Sequence, residues 1–160
     1  MHPGPASLTG QDKQVRMDRL TRSTPPGMGN ELMDNEQRLK DRVVLIVDDD
    51  KEVLEAIDQA LKAEGANTRT CHDGNTAVRL CESETPQLVV LDMMLPKRSG
   101  FLVLEKVKRL PVPPTVIMVT ANEGKRHQQY AEALGVDGYL LKPVRLERLI
   151  TMAMGLLEKR

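Results

Sequence analysis

The chain has 160 residues, and its 23 lysine and arginine residues balance its 23 aspartate and glutamate residues, so the formal net charge is zero. This length predicts one folded domain, and a balanced charge provides no overall field to hold nucleic acid or an anionic membrane. No apolar run is long enough to cross a membrane, the first thirty residues lack the apolar stretch of a signal peptide, and the two cysteines lie outside any metal-binding or redox pattern. We therefore expect a soluble, cytoplasmic protein without direct contact to nucleic acid or membrane.

Residues 1–40 differ in composition from the rest of the chain. They contain four prolines, several glycines and mixed charges, but only scattered apolar residues. Such a segment buries too little apolar surface to offset the entropy that is lost on ordering. We predict a disordered extension over residues 1–40, although residues 30–42 could form a short helix, and one domain over residues 41–160.

From residue 42 onward, short apolar runs alternate with segments of helical periodicity. The apolar runs predict five strands, at residues 43–47, 67–71, 88–91, 116–119 and 138–141. The helical segments predict five helices, at residues 51–64, 74–81, 101–107, 125–134 and from residue 146 almost to the C-terminus. A strand that is apolar throughout is typical of a parallel sheet covered by helices on both faces. The alternation predicts an α/β fold with a doubly wound, five-stranded parallel sheet.

Polar side chains follow four of the predicted strands. Asp48 and Asp49 come after the first strand, Asp92 after the third, Thr120 after the fourth and Lys142 after the fifth. Because ligands bind outside the carboxyl ends of parallel strands, we expect these side chains to converge on one crevice. Three carboxylates so close would raise one another's pKa values unless a cation neutralised them, and carboxylate oxygens are ligands that Mg²⁺ prefers.

This set of side chains suits phosphoryl transfer. Beside a metal ion, Asp92 can act as a nucleophile toward phosphorus and form an acyl phosphate. Lys142 can neutralise the charge on the transferring group, and Thr120 can donate a hydrogen bond to a phosphate oxygen. The neighbouring Asp50 is better explained as the N-cap of the first helix. His72 and His127 have no partner at metal-ligand spacing, so we expect them at surface or loop positions.

Four segments resemble the signature blocks of response-regulator receiver domains, in the same order and with similar separations. They are VLIVDDD at residues 44–50, LVVLDMMLPKRSG at 88–100, VIMVTA at 116–121 and GYLLKP at 138–143. The resemblance covers about residues 42–159 and implies the flavodoxin-like (βα)₅ receiver fold, in a stand-alone form similar to the chemotaxis regulator.

The resemblance also implies a role for each site residue. Asp92 would be the phosphoacceptor. Asp49 would bind Mg²⁺ directly, Asp48 would support it through water, and the backbone carbonyl of Met94 would be a further ligand. Ser99 stands where many relatives carry an acidic residue, which we interpret as a tolerated loop variant.

Other matched positions concern the response to phosphorylation. Thr120 and Lys142 would contact the phosphoryl group, and Tyr139 would be the aromatic switch residue. The resemblance implies a cis peptide bond between Lys142 and Pro143, which a proline permits. Met94 and Asn122 stand at the positions that tune dephosphorylation in the family.

The resemblance implies a signalling function. A sensor histidine kinase or a histidine phosphotransfer protein would donate phosphate to Asp92. The surface of the fourth helix, fifth strand and fifth helix would then change, with output through contacts to an unidentified protein, through phosphorelay, or through a homodimer formed by that surface. The protein would not be an enzyme in the ordinary sense, but would take part in its own phosphotransfer and autodephosphorylation.

Two alternatives differ in class. One is a receiver that serves only as a scaffold without accepting phosphate, against which the complete acidic, threonine and lysine set argues. The other is a phosphatase of the haloacid-dehalogenase type, whose Asp-x-Asp-x-Thr motif would begin at Asp48. Glu52 stands where that motif requires threonine, so the sequence disfavours it.

Overall fold

The computed structural model describes residues 37–159, in which five strands alternate with five helices. The strands are β1 (Val43–Val47), β2 (Asn67–Cys71), β3 (Leu88–Asp92), β4 (Thr115–Thr120) and β5 (Gly138–Leu141). The helices are α1 (Lys51–Ala63), α2 (Gly74–Glu84), α3 (Gly100–Lys108), α4 (Lys125–Ala133) and α5 (Leu146–Glu158). The predicted order and type of the elements are confirmed. We also predicted a disordered N-terminal extension. Residues 1–36 of that extension lie outside the described residues, so for them this stays a prediction.

All strand pairs are parallel, and the strand order is β2-β1-β3-β4-β5. The chain moves from β1 to one side of the sheet and then crosses to the other side, so the predicted doubly wound fold is confirmed. The register pairs Asp92 with Val119 and Thr120 with Leu141. The carboxyl ends of β1, β3, β4 and β5 are therefore close together, which is where an open α/β sheet forms its ligand crevice.

The sheet separates two apolar cores, because successive residues of a strand point to opposite faces. Val44 and Ile46 of β1 belong to the core on the α1 and α5 side, whereas Leu45 and Val47 belong to the core on the side of α2, α3 and α4. β3 is buried along its whole length. Central strands buried on both faces give the continuous apolar runs that predict them in the sequence.

Three helices begin at side chains that accept backbone hydrogen bonds. Asp50 caps α1 by accepting the N–H groups of Glu52 and Val53 at 3.0 and 3.3 Å, so its predicted role is confirmed. Asp73 caps α2, and Ser99 caps α3 by accepting the N–H of Leu102 at 3.3 Å. The capping role of Ser99 gives this loop position a structural purpose.

The packed part of the domain begins before β1. Residues 37–41 form a turn, and Leu39 is buried with 1% of its surface exposed. The N–H of Leu39 donates to the carbonyl of Glu64 at 2.9 Å, and that of Asp41 to the carbonyl of Gly65 at 3.1 Å. This edge of the domain therefore includes residues just before the predicted boundary at 41. None of the helices within residues 37–159 has the length and apolar character needed to cross a membrane.

Candidate functional site

Asp48 follows β1 and is buried, with 2% of its surface exposed. Its backbone N–H donates to the carbonyl of Cys71 at 3.2 Å, which continues the ladder between β1 and β2. Its carboxylate Oδ1 accepts the N–H of Asp50 at 2.9 Å, and Oδ2 lies 2.8 Å from Lys142 Nζ. These contacts hold both carboxylate oxygens in fixed positions and compensate part of the cost of burying the charge.

Asp92 ends β3 and is also buried, with 5% of its surface exposed. Its Oδ1 accepts a hydrogen bond of 3.4 Å from the N–H of Met94, and its Oδ2 lies 3.6 Å from Lys142 Nζ. Burial and the charge of Asp48 raise the pKa of Asp92 to about 6, against the opposing effects of Lys142 and the Met94 N–H. The negative charge around Asp92 thus exceeds what the neighbouring side chains neutralise.

Asp49 is exposed and completes an acidic group with its two neighbours. One carboxylate oxygen from each of Asp48, Asp49 and Asp92 lies within 4.8 Å of the others. Such a set of oxygens suits a hard divalent cation, and Mg²⁺ is held in proteins by one or two carboxylates together with water and phosphate oxygens. The donor set and its excess negative charge both fit Mg²⁺.

Lys142 is the cation that lies beside the three carboxylates. It follows β5, and its backbone N–H donates to the carbonyl of Thr120 at 2.8 Å. The Lys142–Pro143 peptide bond is cis, as predicted. Burial lowers the pKa of Lys142, but the hydrogen bond to Asp48 and the charge of Asp92 outweigh burial and raise the pKa above its usual value. The side chain is therefore an ammonium ion at neutral pH.

Thr120 ends β4 and is completely buried. Its Oγ1 accepts the N–H of Asn122 at 3.1 Å, and the side-chain oxygen of Asn122 accepts the N–H of Gly124 at 2.9 Å. Within residues 37–159, the Thr120 hydroxyl donates no hydrogen bond. Its hydrogen is available to an acceptor that enters the crevice.

Met94 lies beside the acidic group, whereas Tyr139 lies within β5, paired in register with Met118. Met94 is 67% exposed, and its N–H reaches Asp92, so the segment after β3 passes beside the carboxylate. Tyr139 is half-buried in β5, and its hydroxyl is buried without a hydrogen-bond partner among the described residues. Burial raises the pKa of Tyr139. The metal-binding role of the Met94 carbonyl and the switching role of Tyr139 stay predictions.

The structure thus brings four of the predicted side chains into direct proximity and places Thr120 at the same edge of the sheet. Asp48, Asp49, Asp92 and Lys142 form one charged group. Thr120 is joined to Lys142 through the backbone alone.

One feature beside the site has no counterpart in the sequence prediction. Phe101 in α3 stacks on His127 in α4, with ring centroids 5.9 Å apart and ring planes 6° from parallel, and Tyr130 packs edge-on against Phe101. The expectation that His127 occupies a surface or loop position is wrong, because the residue is half-buried in a helix and its Nδ1 is buried. His72 is exposed, as expected. The helical spacing of His127 and Tyr130 was the available sequence signal.

Known proteins are similar to this chain in fold and in sequence. The family model for the response regulator receiver domain matches residues 44–154. A CheY-like response regulator receiver domain protein from Methanospirillum hungatei JF-1 is 28% identical with a TM-score of 0.72, over 75% of this chain and 96% of that chain. The receiver domain of a Francisella response regulator is 28% identical with a TM-score of 0.69, over 75% of this chain and 98% of that chain.

Proposed function

The chain belongs to the response regulator receiver domain family, and from this membership we propose that Asp92 is its phosphoacceptor. The family acts in phosphorylation-activated two-component signalling as a signal transducer rather than as a classical enzyme. Its members interact with kinases or phosphotransfer proteins and bind Mg²⁺ at an acidic pocket.

One observation carries the assignment to Asp92. Its carboxylate is buried at the end of a central strand, lies 3.6 Å from an ammonium group and has a pKa raised to about 6. The nearby carboxyl group of Asp48 is held more tightly, by contacts of 2.9 and 2.8 Å, than that of Asp92, whose contacts are 3.4 and 3.6 Å. Asp49 is exposed rather than enclosed by the crevice. Asp92 is therefore the carboxylate best prepared to react at this edge of the sheet.

The proposed reaction moves one phosphoryl group. A carboxylate oxygen of Asp92 attacks phosphorus, the bond between phosphorus and the imidazole nitrogen of a phosphohistidine donor breaks, and the imidazole keeps the electron pair. Lys142 stabilises the negative charge on the transferring oxygens, and the free hydroxyl hydrogen of Thr120 donates to one of them. The same charged group would position the water that later hydrolyses the acyl phosphate, which is the proposed autodephosphorylation.

Asp48, Asp49 and Asp92, with the backbone carbonyl of Met94, would hold Mg²⁺. A bound Mg²⁺ supplies positive charge next to the reacting oxygens. Asp48 and Asp49 would contribute carboxylate oxygens, while Lys142 remains the chain's own cation at the site.

The proposed output is a change of the surface formed by α4, β5 and α5. The buried Tyr139 hydroxyl has no hydrogen-bond partner within residues 37–159, so a conformation that provides one would be stabilised. We propose that this surface contacts an output protein, a phosphotransfer protein or a second copy of the chain. The buried free thiols Cys71 and Cys81 support a reducing, cytoplasmic location.

Incubation with acetyl phosphate and Mg²⁺ tests the assignment. We expect the intact mass to rise by one phosphoryl group and a beryllofluoride complex to change the NMR signals of Tyr139. Asp92→Asn should abolish both effects, whereas Asp137→Asn, which alters a carboxylate in an ion pair with Lys108, should leave phosphorylation intact. An unmodified mass with wild-type protein would contradict the proposal and favour the scaffold alternative. Turnover of phosphate esters that is lost with Asp48→Asn instead would favour the phosphatase alternative.

A further inference from the structure

The stack of Phe101 on His127 joins the starts of the two helices that follow Asp92 and Thr120. Phe101 is the second residue of α3, which follows the loop after β3, and His127 lies in the first turn of α4, which follows the loop after β4. The two rings are nearly parallel, with centroids 5.9 Å apart. A direct contact between these helix starts gives the loops a common support.

On the Asp92 side, the helix start touches the strand backbone. The N–H of Gly100 donates to the carbonyl of Met93 at 2.8 Å. A Cβ atom at Gly100 would lie only 2.3 Å from the carbonyl oxygen of Asp92, so no side chain fits there. Phe101 follows directly, and its position is therefore fixed relative to the backbone of Asp92.

On the Thr120 side, a series of hydrogen bonds connects the hydroxyl to the helix. Asn122 N–H donates to Thr120 Oγ1, Gly124 N–H donates to the Asn122 side chain, and His127 N–H donates to the Gly124 carbonyl at 3.1 Å. Each bond spans two or three residues, so the loop is compact. A shift of His127 would therefore move Gly124 and Asn122, and with them the N–H group that donates to Thr120 Oγ1.

The imidazole of His127 acts in this arrangement by packing. Its Nδ1 is buried and has no hydrogen-bond partner among the described residues. A Cβ atom at Gly124 would lie 2.9 Å from this nitrogen, so the ring also occupies the space above the loop backbone. The ring of Phe101 lies nearly parallel to it, with centroids 5.9 Å apart. An aromatic ring at position 127, rather than a hydrogen-bonding histidine, is what the geometry requires.

We propose that Phe101 and His127 are positioning residues for phosphorylation: their stacked rings hold the β4–α4 loop against the start of α3 and so fix the Thr120 hydroxyl relative to the Asp92 carboxylate. The inference rests on the proposed function, because it concerns how that site is aligned. Neither ring touches the reacting atoms. Misplacement of a reacting group by about 1 Å can cost up to about 100-fold in rate, so a modest loop shift has a measurable effect.

Substitutions at position 127 test whether the ring or the hydrogen-bonding group matters. We expect His127→Ala to slow acetyl phosphate labelling of Asp92 by about tenfold, within the range that misalignment causes. His127→Phe should stay close to the wild-type rate, because it preserves the stack. Phe101→Leu should reproduce the loss, since it removes the stack while keeping an apolar side chain. The labelling is followed by intact mass, and folding by circular dichroism.

A double substitution tests the contact with Gly124. Gly124→Ala should slow labelling because its methyl group collides with the imidazole, and adding His127→Ala should remove that collision. The added methyl group would still lie 3.1 Å from Asn122 Oδ1, so the double variant is expected to lose less than the two single losses combined rather than to match His127→Ala. A purely additive loss would contradict the close packing of the ring on the loop.

A second readout does not depend on the reaction. In the unphosphorylated protein without Mg²⁺, the NMR signal of the Thr120 methyl group should shift in His127→Ala and Phe101→Leu but stay near its wild-type position in His127→Phe. Failure of wild-type protein to label would contradict the proposed function, whatever this signal does. Normal labelling by His127→Ala with an unchanged Thr120 signal, or an equal loss in His127→Phe and His127→Ala, would overturn the positioning role alone.

Discussion

Two clusters of charged side chains in this domain differ in how completely their carboxylates are bonded to a cation. The first, which we call the strand-end cluster, consists of Asp48, Asp49, Asp92 and Lys142. The second, which we call the Arg38 cluster, consists of Arg38, Glu64 and Glu147. Both combine carboxylates with one cation. The first has three carboxylates and the second has two.

In the Arg38 cluster, the cation reaches both carboxylates with several bonds. Arg38 donates through Nε and Nη2 to Glu64 at 3.2 and 2.8 Å, and through Nη1 and Nη2 to Glu147 at 2.8 and 3.1 Å. These bonds raise the pKa of Arg38 and lower that of Glu147. Planar, two-point pairing of this kind satisfies the charges inside the molecule.

In the strand-end cluster, neutralisation is incomplete. Lys142 bonds one carboxylate at 2.8 Å and lies 3.6 Å from another, and the pKa of Asp92 is still raised. Geometry explains the difference, because an ammonium is a point charge whereas a guanidinium has five donors in a plane. Each carboxylate of the Arg38 cluster is bonded to its cation and serves the fold, whereas Asp92 in the strand-end cluster lies 3.6 Å from its cation and leaves negative charge for a group from outside.

The largest expected effect comes from removing the cation of the strand-end cluster. Lys142→Met should slow phosphorylation of Asp92 by roughly 100- to 1000-fold, the usual loss when one preorganised charge-stabilising group is removed. Acetyl phosphate labelling followed by intact mass measures it. Lys108→Met is the matched control, because Lys108 pairs with Asp137 outside the site. Equal labelling rates in wild type and Lys142→Met would mean that the cation of the strand-end cluster, like that of the Arg38 cluster, has no role in phosphorylation.

The corresponding change in the Arg38 cluster should affect stability instead. Arg38→Met leaves Glu64, whose side chain is only 13% exposed, without its cation. We expect a loss of about 1–3 kcal/mol in the free energy of unfolding, the usual cost of an unsatisfied buried group. Urea denaturation measures the loss. The labelling rate of Asp92 should stay unchanged. A parallel drop in that rate would contradict the view that the Arg38 cluster serves stability alone.

A third prediction uses pH to detect the excess negative charge at Asp92. Its native pKa of about 6 lies above the ordinary value of 3.8, so between these pH values the native state binds more protons than the unfolded state. The contribution of Asp92 to stability should therefore decrease by about 1–3 kcal/mol as pH rises from 4 to 7. Without Mg²⁺, Asp92→Asn should be more stable than wild type at pH 7 but not at pH 4.

Asp58 provides a control of opposite sign for this measurement. Burial acts to raise the pKa of Asp58, but hydrogen bonds from Thr68 and Lys62 outweigh burial and lower it. Asp58→Asn should therefore be less stable than wild type at pH 7, with the difference shrinking as the pH falls. Thermal melts at both pH values measure the two variants. The same sign for both substitutions would contradict the assigned charge balance, and added Mg²⁺ should reduce the difference at Asp92 only.

The smallest effect is expected within the Arg38 cluster itself. Glu147 has a side chain that is 71% exposed, whereas that of Glu64 is 13% exposed. Exposed ion pairs contribute little because water and salt screen them. Glu147→Gln should therefore destabilise the domain less than Glu64→Gln in urea denaturation. Equal losses would mean that Arg38 requires both carboxylates to the same degree.

Most of the fold follows from local sequence patterns. The apolar run of residues 43–47 predicts β1 because a central strand needs apolar residues on both faces. Asp50 predicts the start of α1 because a helix N-terminus has free N–H groups that a carboxylate accepts. The site residues were predictable for a related reason, since parallel strands bring their carboxyl ends to one edge.

Contacts between distant segments were not predictable in this way. Leu39 lies in a segment whose composition predicts disorder, yet it packs in the core on the α1 and α5 side. Arg38 finds its partners 26 and 109 residues away along the chain. The spacing of His127 and Tyr130 puts them on one face of α4, but it does not predict that Phe101 of another helix packs there.

The sequence by itself determined the order of the elements, the fold class and the set of side chains gathered at the carboxyl edge, because periodicity, capping and strand ends are local properties of the chain. The tertiary structure alone decided which charges are satisfied. Whether a carboxylate is buried, and whether a cation reaches it at 2.8 or 3.6 Å, depends on how separate elements pack. Electrostatic energies change steeply with such distances and with burial, so they arise only once the fold is complete.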